Sequence, residues 1–373
     1  MSKRVNNIFR RKNSRREIRY SNRYEANKGK KYGYCYRNDK QRVKKNNFTP
    51  KSSAVTEKML QSSLQKKRLS SFCDEWLVRN RTRVKESTYV KYRGVIENHV
   101  KPRLGDYSVE ELSSDAIEKF SHELLFTDKL SSKTVKDILT MLNSVIKYIE
   151  KQLSVSLSNI EIVYPKVAKK EVRVLSKDEQ TRLVNYLLKD MDEYKFGIML
   201  SLLTGMRLGE VCALRWKNIC LKEGTVKVNS TIQRLSDLSN SGKGKTKIVI
   251  TEPKSNTSVR EIPLTEYAAK LCEAHWCNNP DAFVLTGEQN RYIEPRTMQY
   301  KIERFTEACG IEGVHFHTLR HTFATRCVEV DFEIKSLSEI LGHSSPRITL
   351  ERYVHSSMKL KRDNMNKLTA IGF

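Results

Sequence analysis

The chain has 373 residues, with 69 Lys or Arg against 43 Asp or Glu and a net charge of +26 at pH 7. This length allows two or three domains, and the excess of positive charge predicts a nucleic acid partner, because a polycation releases counterions from a phosphate backbone. No apolar run approaches the ~20 residues of a membrane span, and the basic N-terminus lacks the apolar core of a signal peptide, so we expect a cytoplasmic, nucleoid-associated protein with no membrane partner.

The positive charge is concentrated at the N-terminus. Residues 1–50 carry 17 Lys or Arg against 3 Asp or Glu, a net charge of +14, which is more than half of the total. A disordered basic tail is the prediction for residues 1–16. A membrane surface is the competing partner for such a segment, but no amphipathic anchor accompanies the charge.

Residues 17–66 alternate short aromatic runs with turn-forming residues, which predicts a small sheet followed by a helix. Gly29 and Asn38-Asp39 mark the turns, and Thr49-Pro50 opens the helical stretch. Residues 18–20, 23–26 and 32–36 have the aromatic pattern of strands, and a third strand includes residues 41–43, so the predicted sheet is three-stranded. An unstructured basic arm is the alternative interpretation of the segment.

Residues 68–160 have the apolar periodicity of a helical bundle. Phe72 and Trp76 open the first helix, and a second helix is predicted to close at Pro102 and Leu104-Gly105. The clearest helix places one apolar stripe on a single face: Val135, Ile138, Leu139, Leu142, Val145, Ile146 and Ile149. The opposite faces of these helices carry Lys and Arg.

Residues 161–173 are basic and contain Pro165, which predicts an extended linker. After this linker, Ser176 and Glu179 have the spacing of a capping box and mark the start of a helix. The sequence thus predicts a new domain at residues 174–373.

Within residues 174–373, an apolar stretch from Phe196 to Leu203 predicts a buried helix that ends shortly before Arg207. Residues 218–228, together with the region around Lys254, predict a small sheet. Further helices are predicted to begin at Pro295 and His317. The predicted fold class is therefore mainly α with small β-sheets.

Six residues of this last domain combine into one chemical pattern: Arg207, Lys254, His317, Arg320, His343 and Tyr353. Glu210 follows Arg207 by three positions, and no cluster of acidic residues of the kind that holds a nuclease metal accompanies the set. Two arginines, a lysine, two histidines and a phenol suit metal-free transfer of a phosphodiester onto tyrosine.

Each member of the set has a role in that chemistry. The Tyr353 phenol is protonated at neutral pH and needs activation to attack a phosphate as the nucleophile. Arg207 and Arg320 can clamp the phosphate oxygens, because arginine stays charged and grips two oxygens at once. His317 and His343 can donate hydrogen bonds to the phosphate, and His317 could accept the tyrosine proton. Lys254 is the candidate general acid for the leaving 5′-hydroxyl.

Structural interpretations of the same residues remain open. Arg207 could stabilise the C-terminus of the preceding helix, and Tyr353 is one of sixteen tyrosines. Lys254 lies in a lysine-rich stretch, so its assignment depends on a predicted hairpin in which residues 248–250 and 259–263 are strands around a tight turn.

Three histidines could also indicate a metal site, since His317 and His321 lie one helical turn apart and His315 lies two residues before His317. No Glu follows His317, so the zinc-protease pattern is absent, and the eight cysteines include no C-x-x-C pair. The sequence therefore predicts no metal and no cofactor, and we interpret His321 as a helix-packing residue.

In order and spacing, these residues resemble the tyrosine recombinase family, often called phage integrases. The family motif is an Arg with an acidic residue three positions later, then a hairpin Lys, His-x-x-Arg, a His or Trp, and a nucleophilic Tyr. The resemblance spans about residues 172–365, and Glu210 matches the acidic position, where we expect it to orient the other groups.

The resemblance implies a domain plan and an activity. The plan is a basic tail (1–16), an arm-DNA-binding-like domain (17–66), a helical, SAM-like core-binding domain (68–160), a linker (161–173), and a mixed α/β catalytic domain with its C-terminal tail (174–373). The activity is cutting and rejoining of DNA through a 3′-phosphotyrosyl link, without ATP, during integration and excision of a phage or other mobile element.

The partners that the resemblance implies are core and arm attachment sites on double-stranded DNA, further copies of the chain in a tetramer, and possible excisionase and DNA-bending accessory proteins. Two alternatives remain open on the sequence alone. One is a type IB topoisomerase-like enzyme with a similar pocket, and the other is a non-catalytic DNA-binding protein.

Overall fold

The computed structural model describes residues 8–10, 16–18, 67–154, 156–157, 159–168, 172–237, 246–251, 259–353, 362 and 365–366. The chain divides into two units, Met1–Ser62 and Ser63–Phe373. Lys254 and the strands and helix predicted within residues 19–66 lie outside the described residues. In the part of the chain that the structure describes, no helix is both long and apolar enough to cross a membrane.

The first unit contains a short antiparallel strand pair. Strand β1 (Ile8–Arg10) pairs with β2 (Arg16–Ile18), with Ile8 opposite Ile18 and Phe9 opposite Glu17. The prediction of a disordered tail at residues 1–16 is therefore wrong for residues 8–10 and for Arg16. Ile8 and Phe9 have high strand propensity and pair with Ile18 and Glu17 of the second strand.

The region predicted to be a helical bundle is helical. Its second helix ends at Leu104 with Gly105 as its C-cap, as predicted, and Pro102 lies in its last turn, which follows a π-helical turn (Ile96–Val100). The elements are α1 (Leu69–Asn80), α2 (Glu86–Val95), α3 (Lys101–Leu104), α4 (Ser114–His122), a π-helical turn (Glu123–Thr127) and α5 (Ser132–Leu153).

This bundle has its own hydrophobic core. Every residue of the apolar stripe predicted for α5 is buried, and Phe72, Trp76 and Leu104 pack into the same cluster. The Ser131 hydroxyl accepts a hydrogen bond from the backbone N–H of Thr134, which fixes the start of α5. Burial of the stripe leaves the charged faces of the helices exposed to solvent.

The remainder of the second unit surrounds a buried helix. Its helices are α6 (Lys177–Leu188), α7 (Glu193–Thr204), α8 (Leu208–Ala213), α9 (Glu266–Ala274), α10 (Pro295–Ala308), α11 (Phe316–Glu329), α12 (Ile334–Leu341) and α13 (Pro346–Tyr353). Helix α7 is apolar almost all round and is buried against neighbouring elements. The Ser176–Glu179 capping box is present at the start of α6.

Two small antiparallel sheets accompany these helices. Strand β4 (Thr225–Val228) lies between β3 (Ile219–Cys220) and β7 (Arg260–Pro263), and β5 (Thr231–Ser236) pairs with β6 (Thr246–Thr251). The fold class, mainly α with small β-sheets, is confirmed.

The predicted hairpin on either side of Lys254 is wrong in its pairing. Both strands exist, but β6 pairs with β5 and β7 pairs with β4, so they belong to different sheets. In each case the partner lies earlier in the chain. The alternation of apolar residues located the strands but could not choose their partners.

A glycine turn connects the buried helix α7 to the segment that carries Arg207. Gly205 caps α7 with a φ of 68°, and a Cβ atom at this position would lie 2.5 Å from Cδ1 of Phe323. A side chain would be strained by the backbone conformation and would clash with α11. Glycine therefore allows α7 and α11 to approach closely where both reach the candidate site.

Candidate active site

Four of the six predicted site residues line one pocket: Arg207, His317, Arg320 and His343. They come from the segments before α8, at the start of α11 and after α12. Arg352 from α13 also lines the pocket, although it was not among the residues selected from the sequence. A pocket lined by three arginines and two histidines is suited to a phosphate group.

Arg320 is the most deeply placed of these cations, with 1% of its surface exposed. Its guanidinium donates to the carbonyl oxygens of Gly205 at 2.8 Å and Leu341 at 2.6 Å. Both carbonyls lie at helix C-termini, where the partial negative charge favours a cation. Burial and the charges of Arg207 and Arg260 lower the pKa of Arg320 to about 9, so this side chain stays charged at neutral pH.

Arg207 is held by a buried carboxylate. Its Nη1 lies 2.8 Å from Glu210 Oε1, and its backbone N–H donates to Glu210 Oε2 at 2.8 Å. Its Nη2 donates to the Gly342 carbonyl at 3.2 Å. Glu210 is 4% exposed, so these contacts fix the arginine from the protein side while its outer face lines the pocket.

A second arginine, Arg260, completes the buried ion network. Arg260 Nη1 and Nη2 donate to the two oxygens of Glu210 at 3.1 and 2.8 Å, and its Nε donates to the Ile340 carbonyl. Arg260 was not selected from the sequence. In β7, Arg260 and Ile262 are buried while Glu261 and Pro263 are exposed, so strand alternation places an arginine on an inward face, and that is the signal that could have found it.

The Glu210 carboxyl is ionised well below its ordinary range. Burial by itself would raise its pKa, but hydrogen bonds and charge from Arg260, together with the charge of Arg207, hold the pKa at about 2 against a reference of 4.5. The carboxylate is therefore ionised at neutral pH and balances the charges of two arginines.

This shift predicts a pH dependence of stability. A pKa that is lower in the folded than in the unfolded protein stabilises the fold fully above pH 4.5, and the contribution is lost as the pH falls towards 2. Urea unfolding of the wild type and Glu210→Gln at pH 7, 5, 4 and 3 should show a steeper loss of unfolding free energy in the wild type. Equal slopes in the two proteins would contradict the assignment.

Both predicted site histidines are neutral at physiological pH. Burial and the charges of nearby arginines lower the pKa of His317 to about 4 and of His343 to about 3. His343 Nδ1 lies 2.9 Å from the hydroxyl of Thr349, which is fully buried. If that hydroxyl donates to Nδ1, the ring carries its proton on Nε2 and can donate it to a phosphate oxygen.

Tyr353 lies beside the pocket and is not among its lining residues. Its ring is 5% exposed and packs with Ala324, Leu337 and Leu341. Burial raises the pKa of its hydroxyl, although Arg320 and Arg352 act in the opposite direction. The hydroxyl therefore needs a proton acceptor before it can attack a phosphate.

The interpretation of His321 as a packing residue is incomplete. Its Nδ1 lies 2.7 Å from the Tyr353 hydroxyl, so the side chain contacts the predicted reacting atom directly. The spacing of His317 and His321 placed both on one face of a helix, but only the packing of α13 against α11 shows which of them reaches the tyrosine. Lys254 lies outside the described residues, and its role stays a prediction.

Two models of known protein families match the sequence. The model of the phage integrase family matches residues 173–359, and a model described as the phage integrase N-terminal SAM-like domain matches residues 68–125. The first match contains all the pocket residues and Tyr353, and the second covers much of the helical bundle.

Individual proteins agree with the family models. A tyrosine recombinase XerC-like protein of Caldanaerobacter subterraneus subsp. tengcongensis is 26% identical over 306 residues, which cover 76% of this chain and 78% of the relative. The integrase of Staphylococcus phage L54a is 24% identical over 82% of this chain and 94% of its own length.

A solved structure shares the fold. The Tn1549 transposon integrase, determined in complex with a circular intermediate DNA, has a TM-score of 0.64 and 20% identity, covering 81% of this chain and 99% of that one. Because the family model covers half of the sequence and contains the whole pocket together with its tyrosine, the chain belongs to the phage integrase family of tyrosine recombinases.

Proposed function

We propose that this chain is the integrase of a phage or integrative mobile element and recombines DNA through a 3′-phosphotyrosyl link on Tyr353. Its family consists of enzymes that cut and rejoin DNA without ATP. The observation that carries the proposal is the convergence of Arg207, His317, Arg320 and His343 on one pocket with Tyr353 beside it.

In this proposal the two arginines, Arg207 and Arg320, both bind the scissile phosphate. Arg320 is fixed by two helix-terminal carbonyls and Arg207 by Glu210, so both charges are in position before the negative charge of the transition state develops. His317 and His343 are neutral donors to the same phosphate. Lys254 is the proposed acid for the leaving 5′-oxygen.

The proposed partners extend beyond the pocket. Double-stranded DNA would lie between the catalytic domain (174–373) and the core-binding domain (68–160), with the linker (161–173) along it. Residues 17–66 would bind arm sites after the tail (1–16). Four copies of the chain on two core sites, excisionase and DNA-bending proteins, and action at the nucleoid in the cytoplasm follow from the family resemblance.

The proposal is tested by trapping the enzyme on DNA. Full-length protein is incubated with a tiled library of nicked duplexes that cover the DNA flanking its own gene, so that the short cleaved strand diffuses away and the covalent complex accumulates. We expect an SDS-resistant complex with a small group of overlapping duplexes. Relaxation of any supercoiled plasmid without site preference would indicate the topoisomerase alternative, and no complex on any duplex would indicate a non-catalytic DNA-binding protein.

Arg207→Lys should slow formation of the covalent complex by about 10²–10³-fold at saturating DNA, the range seen when one preorganised donor to a transition-state oxyanion is removed. Lysine keeps the charge but cannot bind Glu210 and a phosphate with a planar fork. The measurement is single-turnover trapping on the selected duplex. Arg296→Lys, at an exposed position outside the pocket, is the matched control, and a rate within twofold of wild type for Arg207→Lys would contradict the clamp.

A further inference from the structure

We propose that His321 holds the Tyr353 hydroxyl and accepts its proton when that hydroxyl attacks DNA. The inference rests on the proposed role of Tyr353 as nucleophile and assigns a partner to it. Its basis is the contact of 2.7 Å between His321 Nδ1 and Tyr353 Oη, which is the distance of a hydrogen bond to the reacting atom.

The two histidines of α11 face different groups. His317 and His321 are one turn apart, and their rings meet edge to face with centroids 4.5 Å apart. His317 lines the pocket, whereas His321 lies towards the tyrosine, with its ring centroid 5.6 Å from that of Tyr353. His317 is thus positioned to hydrogen-bond the phosphate, and His321 is positioned to hydrogen-bond the nucleophilic hydroxyl of Tyr353.

His321 is available as a proton acceptor at neutral pH. Burial, followed by the influence of His317, Arg352 and Arg320, lowers its pKa to about 4, so the imidazole is neutral and retains a lone pair. The groups that face it are His317 and Arg320 on its own helix and Arg352 and Tyr353 on α13. A DNA phosphate bound in the pocket adds negative charge beside these cations, which raises the pKa of His321 towards the range of an effective base.

The proposed step conserves atoms and charge. The O–H bond of Tyr353 breaks, its proton moves to the Nδ1 lone pair of His321, and the tyrosine oxygen forms a bond to phosphorus. The bond from phosphorus to the 5′-oxygen breaks, and that oxygen takes a proton from the proposed acid, Lys254. In the rejoining reaction His321 returns the proton to the tyrosine oxygen.

Replacing His321 with asparagine distinguishes the hydrogen bond to the Tyr353 hydroxyl from acceptance of its proton. In His321→Asn a side-chain amide can occupy the place of Nδ1 and hydrogen-bond the tyrosine, but it has no basic lone pair. In His321→Ala both functions are lost. His315→Asn, which changes an exposed histidine at the start of the same helix, is the matched control.

The experiment measures single-turnover trapping on the selected nicked duplex from pH 6 to 9.5, with DNA affinity and thermal unfolding recorded for each variant. We expect both His321 variants to bind DNA as wild type does and to form the covalent complex about 10²–10⁴-fold more slowly, the usual contribution of a general base. Their rates should rise with pH, and added imidazole should restore part of the rate of His321→Ala.

Three results would overturn the inference. The first is a wild-type rate of covalent-complex formation in His321→Asn. The second is a rate above wild type in either variant, which would show that the contact restrains the Tyr353 hydroxyl. The third is a slow reaction that neither higher pH nor added imidazole accelerates. If the wild type itself forms no covalent complex, the proposed function fails together with this inference. If the wild type reacts and the variants equal it, only the role of His321 fails.

Discussion

Replacing Tyr353 with phenylalanine should abolish covalent attachment to DNA while leaving DNA binding intact. The substitution removes only the nucleophilic oxygen, because the ring is buried among Ala324, Leu337 and Leu341 and phenylalanine fills the same space. Loss of the hydroxyl leaves His321 Nδ1 without this partner, so we also expect a destabilisation on the order of 1–3 kcal/mol. Single-turnover trapping, a DNA-binding titration and urea unfolding together measure these effects.

A matched substitution controls for the loss of a tyrosine hydroxyl elsewhere. Tyr300→Phe alters a half-exposed tyrosine on α10, away from the pocket, and should form the covalent complex at the wild-type rate. A covalent complex formed by Tyr353→Phe would remove Tyr353 from the mechanism and point to another tyrosine.

Replacing Glu210 with alanine should lower the free energy of unfolding by about 3–5 kcal/mol, the usual consequence of leaving a buried charge without its counter-charge. Glu210 and Arg260 side chains are 4% and 5% exposed, so Arg260 has little access to compensating water. The same change releases Arg207 from its carboxylate partner, and trapping should slow as well. Urea unfolding at pH 7 measures the first effect.

Two further variants make the Glu210 result specific. Glu266→Ala removes an exposed i,i+4 ion pair with Lys270 and should change stability by less than about 0.5 kcal/mol. Removing both buried charges in Glu210→Ala/Arg260→Met should recover much of the lost stability, since no charge is then left buried in this pair. A loss below about 1 kcal/mol in Glu210→Ala would show that the network does not support the fold.

The sequence was most informative where chemistry constrains residue type. Arginine and tyrosine at these spacings have few other uses in combination, so Arg207, Arg320 and Tyr353 could be selected from the amino-acid pattern alone. Helices α5 and α7 could also be predicted from the sequence, because their long apolar patterns fit only buried helical faces.

Contacts between distant segments could not be predicted in this way. Glu210 and Arg260 are 50 residues apart in sequence, and His321 and Tyr353 are 32 apart. Which strand β6 joins, and which histidine faces the tyrosine, depend on packing between elements rather than on any local pattern. The missed residues, Arg260, His321 and Arg352, are therefore recognised only by what they contact in the fold, whereas the selected ones carry recognisable chemistry at recognisable spacings.

The central claim of the proposed mechanism is that Tyr353 is the residue that becomes covalently attached to DNA. The direct measurement is mass spectrometry of the complex trapped on the nicked duplex, after protease and nuclease digestion. We predict a single peptide with a nucleotide attached through its 3′-phosphate to the oxygen of Tyr353. Attachment at any other residue, or through a 5′-phosphate, would contradict the mechanism.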